Sequence, residues 1–113
     1  MGYIRNHAIV VTCTHGDHIE RAHKKAKGIF PRVSEISLEG VNGSRSFFVP
    51  PDGSKEGWAD SKKGDTQREN FKIWLRAQAH SDKSTPFSWC EIRYGGDDFD
   101  AEIVSHCHEG RTE

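Results

Sequence analysis

Ile4-Arg5-Asn6-His7-Ala8-Ile9-Val10-Val11-Thr12, followed four residues later by Asp17-His18-Ile19-Glu20, is the stretch whose reading decides the fold. The first run is β-branched and apolar around Ala8–Val11, as a buried strand requires. In the second, an acid at the N-cap position with Glu three residues on marks a helix start. Ile19, Ala22, His23, Ala26, Ile29 and Phe30 then recur at helical spacing until Pro31 stops them. A strand leading directly into an amphipathic helix opens a mixed α+β arrangement.

Working outward, Val33–Glu39 reads as a strand with Ile36 and Leu38 on one face. Asn42-Gly43 is a turn signal, and Arg45–Val49 is the returning strand. The segment from Pro50 to Gly64 has no periodicity and reads as a long loop. Thr66-Gln67-Arg68-Glu69 has the form of a capping box, with Phe71, Trp74, Leu75 and Gln78 as the inward stripe of a second helix. Phe87–Tyr94 follows as a strand with Cys90, Ile92 and Tyr94 on the core face. Gly95-Gly96-Asp97-Asp98 turns into a last strand, Ala101–Cys107, with Ala101, Ile103 and Ser105 opposing Glu102 and Val104. The order β-α-β-β-α-β plus one strand predicts a ferredoxin-like α+β domain over residues 1–113. Its helices cover one face of a mainly antiparallel sheet, and the last strand extends an edge.

Composition narrows the function classes. The chain has 113 residues, 34% hydrophobic and 29% charged, with 16 basic and 17 acidic side chains. That near-cancellation gives no global field toward DNA or an anionic membrane. Met1 to Cys13 has no signal-peptide pattern, and no apolar run is long enough to span a bilayer. Cys13, Cys90 and Cys107 are too few and too widely spaced for a disulfide scaffold, so free thiols in a reducing cytoplasm are expected.

The loop is the most suggestive stretch. Gly53 amides, the Ser54 hydroxyl and the Lys55 ammonium suit a phosphate or carboxylate, and Trp58 offers a stacking face. Phe48, Arg45 and His7 complete the candidate ligand-binding set. The P-loop spacing is absent, and the bland reading is a turn with Trp58 plugged into the core. Cys13, His15 and His18 with His106, Cys107 and His108 lack zinc-site spacings, so neither a metal nor any other cofactor is expected. His7 and His106 lack the hydroxyl residues of two-histidine phosphoesterases. Arg21, Lys24, Lys25 and Lys27 form a basic side of the first helix, opposite Ile19, Ala22 and Ala26. Such a side is ordinarily solvated, yet it can attract an anion.

Tyr3–Thr12, Ser46–Trp58 and Pro86-Phe87-Ser88-Trp89 resemble a family of small uncharacterised bacteriophage-encoded proteins, mostly of actinobacterial hosts. The resemblance implies an accessory protein in the cytoplasm of a bacterial host, of a kind that counters host defence. The leading expectation is a non-enzymatic homo-oligomer that binds and sequesters an anionic small molecule, a nucleotide-type immune signal. A second is an inhibitor or adaptor docking a host protein through the open sheet face. A third is an enzyme acting on a phosphodiester.

Overall fold

The computed structural model describes residues 4–14, 17–78, 86–96 and 100–107. Its elements are β1 (Asn6–Cys13), α1 (His18–Ile29), β2 (Arg45–Val49), α2 (Ala59–Ala77), β3 (Ser88–Tyr94) and β4 (Glu102–His106). The strands form one antiparallel sheet in the order β2-β1-β3-β4. Ile9 and Val11 of β1, Phe47 and Val49 of β2 and Trp89 of β3 share one face. There they meet Ile19, Ala22 and Ala26 of α1 and Phe71 and Leu75 of α2 in a single core. Both helices therefore cover the same side, as a ferredoxin-like α+β fold requires.

The segment at 33–39 takes the place of the expected strand without forming a regular ladder. It lies beside β2, where Ser34 N donates to Phe48 O at 2.9 Å and Ser37 N to Ser46 O at 2.8 Å. The return bonds go to side chains: Phe48 N donates to Ser34 Oγ at 2.8 Å and Ser46 N to Ser37 Oγ at 3.0 Å. Two serine hydroxyls replace the backbone carbonyls a strand would present, which is the local competition these residues offer. Ile36 packs on the core, whereas Leu38 is 93% exposed, so the two do not share a face. The expected turn forms, with Asn42 at φ 60° and Gly43 at φ 74° and Gly40 N donating to Ser44 O. Both φ values lie in the left-handed region that hairpin turns of the Asn-Gly type need.

Four further readings need correction. The second helix begins at Ala59 rather than Thr66, which sits mid-helix with Oγ1 donating to Lys62 O at 3.1 Å. Residues 59–64 are thus helix, not loop. In β3 the core side belongs to Trp89 and Glu91; Cys90, Ile92 and Tyr94 lie across the sheet, facing away from the helices. Burial of the large indole decides the parity, and Glu91 is admitted because cations meet it. In β4 an irregularity puts Ser105 opposite Glu91 and Ile103 opposite Ile92, so the expected pairing of Ile103 with Ser105 on one face fails. Asp17 holds the N-cap position of α1, but its side chain makes no capping bond.

Candidate functional site

Below the core, toward the N-terminal end of β1, the sheet face turns polar. Glu91 is only 4% exposed, and Lys72 and Arg68, one turn apart on α2, are 7% and 6% exposed. Lys72 Nζ donates to Glu91 Oε1 at 2.6 Å and to Ser105 Oγ at 3.1 Å. Arg68 Nε lies 3.5 Å, and His7 Nδ1 3.7 Å, from Glu91 Oε2. His7 Nε2 sits 2.7 Å from Glu56 Oε1, and Ser61 Oγ donates to the other Glu56 oxygen at 3.5 Å. No buried side-chain nitrogen or oxygen among the described residues lacks a partner.

This network pins the 50–58 loop to the sheet. Burial alone would raise the Glu91 carboxyl, but His7, Lys72 and Arg68 hold it at about 2. The Glu91 carboxylate, with Glu56 behind it, raises His7 above its ordinary 6.5 against a burial effect of opposite sign. Burial likewise opposes ionisation of Asp52, yet bonds from Ser54 and the field of Arg68 lower its pKa. At Gly64 the helix passes so close that a Cβ would stand 2.5 Å from Asp52 Oδ2. Through His7 and Glu56 the cluster ties the loop to β1, β3 and α2.

The seven sequence-predicted ligand residues fall in separate places. Gly53 and Ser54 edge an open depression of about 280 Å³ shared with Pro31, Asp52, Asp60, Lys63 and Gln67. Two carboxylates there oppose an anion. Ser54 is turned onto Asp52, its Oγ donating to Oδ1 at 2.6 Å. Lys55 Nζ lies 5.0 Å from the centroid of the Trp58 ring, so charge and stacking face are spent on each other. Trp58 is 53% exposed and is not a core plug. His7 belongs to the buried network, Phe48 to the opposite sheet face, and Arg45 to the far end of β2, 3.5 Å from Glu20.

His7 and His106 lie on opposite faces, since His106 pairs with Cys90 and His7 with Arg93. Cys13 joins the core and Cys107 packs against it; neither forms a disulfide. His15 and His108 lie outside the described residues. Among the described residues no three potential metal ligands gather, and no helix is long and apolar enough to cross a membrane.

A different concavity has the better chemistry for an anion. Between α1 and α2 runs a groove of about 400 Å³, lined by Arg21, Lys24, Lys25, Gly28, Ile29 and Trp74. That volume falls in the usual small-ligand range of about 300–1,000 Å³. The positions 21, 24, 25 and 28 are helical neighbours, so three cations stand in a row beside a gap. A Cβ at Gly28 would meet nothing within 4 Å, and the missing side chain is what leaves the gap open. Trp74 is held from behind by Phe71, 6.3 Å away and nearly parallel, and by Phe87 at 6.0 Å. Arg21 contacts His18 Nδ1 at 2.6 Å, whereas Lys24 and Lys25 have no ion-pair partner among the described residues. The basic side was legible in the sequence; its apposition to Trp74 was not.

Searches against family models, curated proteins and solved structures return no match to this chain.

Proposed function

We propose that this chain is a non-catalytic binding protein for an anionic ligand with a planar ring, of nucleotide type, held in the groove between α1 and α2. The observation that carries the reading is the row of Arg21, Lys24 and Lys25 beside the indole of Trp74 in one open groove. An aromatic face takes a base with little sequence preference, and the ammonium and guanidinium groups take phosphate oxygens. Holding a ligand needs no nucleophile or general base, and His7, set between Glu56 and Glu91, is taken up by the network beneath the loop. In the setting that the resemblance to phage-encoded proteins implies, sequestration of a host nucleotide signal is the corresponding role.

Calorimetric titration with a panel of nucleoside mono-, di- and triphosphates and cyclic dinucleotides tests this. Lys24→Glu and Lys25→Glu are exposed changes that leave the core intact. A charge-assisted hydrogen bond is worth about 1.5–3 kcal/mol, so each should weaken binding roughly tenfold to a hundredfold. Binding by the wild-type chain that neither substitution alters would place the ligand elsewhere.

A further inference from the structure

The groove between α1 and α2 is polarised along its length. Gly28 and Ile29 lie at one end, and Lys25, Lys24 and Arg21 follow one another toward the N-terminus of α1. At about 1.5 Å per residue, Lys25 and Lys24 stand about 4.5–6 Å along the axis from Gly28, and Arg21 about 10.5 Å. Helical side chains lean toward the N-terminus, so the charged ends lie further from the gap than their Cα atoms do. Arg21 is held in place. One of its terminal nitrogens donates to His18 Nδ1 at 2.6 Å, and the His18 ring meets the buried Phe87 edge-on, with 6.1 Å between centroids. Phe87 also packs against Trp74 at 6.0 Å. The far cation and the aromatic face are therefore tied to the same buried ring.

Granted that the groove holds the ligand as proposed above, we infer that the ligand is a linear nucleoside di- or triphosphate whose outer phosphoryl groups reach Arg21. The base takes the space that Gly28 leaves beside Trp74. The phosphoryl group nearest the ribose meets Lys24 and Lys25, and the next meets Arg21. A monophosphate ends at the nearer pair of cations and leaves the guanidinium without an anion. The planar fork of a guanidinium fits phosphate oxygens, and with one nitrogen held by His18 its other N–H groups are left to donate. Each added phosphoryl group brings charge that its neighbour repels, so a chain of them needs cations at successive distances. Lys24 and Lys25 supply the first and Arg21 the second. A cyclic dinucleotide carries two bases, whereas Trp74 is the single aromatic ring among the described residues that line the groove.

Calorimetric titration with the mono-, di- and triphosphates of adenosine and guanosine, and with their cyclic dinucleotides, is the test. A charge-assisted hydrogen bond to the added phosphoryl group corresponds to about tenfold to a hundredfold, so di- and triphosphates should bind at least about tenfold tighter than monophosphates. Arg21→Gln should cut that ratio to below about threefold, whereas Lys25→Gln should weaken mono- and diphosphate by similar factors and leave the ratio standing. Gln has a helix propensity close to that of Arg and Lys, so neither variant should melt measurably lower. Equal affinity for all three phosphorylation states, or a ratio that survives Arg21→Gln, would overturn the inference and leave the groove assignment in place. So would a cyclic dinucleotide that binds tighter than every linear nucleotide. Binding of none of them would remove the groove assignment as well.

Discussion

Glu91→Ala removes the one carboxylate that Lys72, Arg68 and His7 all face. Removing one partner of a buried ion pair costs about 3–5 kcal/mol, because the remaining charge is left desolvated. Here the lower half of that range applies. Lys72 keeps Glu69 at 3.4 Å and Arg68 keeps Asp65, although both of those acids are more than half exposed. A loss of about 3–4 kcal/mol corresponds to roughly 12–16 °C in melting temperature for a domain of this size. Urea unfolding followed by tryptophan fluorescence reads it directly. The double variant Glu91→Leu with Lys72→Met should recover part of the loss, since an apolar pair of similar volume needs no compensation. The pH dependence adds a second reading. In the folded chain Glu91 titrates at about 2, below its ordinary 4.5. The unfolded chain therefore binds the proton first as pH falls, and about 3 kcal/mol of stability present above 4.5 is lost on the way down to 2. Glu91→Gln should lack that acid limb. A cost below about 1 kcal/mol for Glu91→Ala, or a double variant no better than the single, would refute the reasoning.

His7 gives the opposite limb. Its pKa is raised in the fold, so its stabilisation is complete below 6.5 and disappears as pH rises through the folded value. His7→Gln should flatten the neutral-to-alkaline part of a stability–pH curve. Trp58→Ala removes only a half-exposed ring and its contact with Lys55, costing about 0.5–1 kcal/mol, against the roughly 3–5 kcal/mol of a core plug. Thermal melting separates the two. Gly64→Ala gains up to about 1 kcal/mol of helix propensity, but its Cβ meets Asp52, which Ser54 and Arg68 hold in place. Overpacking costs about 1–3 kcal/mol, so a net loss near 1 kcal/mol is expected in denaturant titration, relieved by Asp52→Gly.

The parts of the fold that apolar spacing encodes were readable in the chain. β1, α1 and the Phe71–Leu75 face of α2 follow from it, and the turn at 42–43 follows from its Asn-Gly pair. The first turns of α2 were not, because their inward positions are Ser61, Gly64 and Arg68: the helical period is present, but in small and charged residues. The parity of β3 hid for a related reason. Cys90, Ile92 and Tyr94 are the more apolar set, yet Trp89 is larger, and Glu91 is compensated by Lys72, Arg68 and His7 from other elements. No local signal announces partners so distant in sequence. Ser34 and Ser37 occupy strand positions by sequence pattern, yet their hydroxyls displace the ladder bonds. As for the groove, the basic side of α1 was visible at positions 21, 24 and 25. The role of Gly28 and the arrival of Trp74 needed the packing of two helices.

Gly28→Leu is the most direct test of the claim that the α1–α2 groove holds the ligand. The position is helical and a Cβ there meets open space, so the substitution adds helix propensity of up to about 1 kcal/mol while filling the groove. Calorimetric titration with the tightest-binding nucleotide of the panel should show binding lost or weakened at least a hundredfold in a variant that melts no lower than wild type. Full affinity in that stable, groove-filled variant would contradict the assignment.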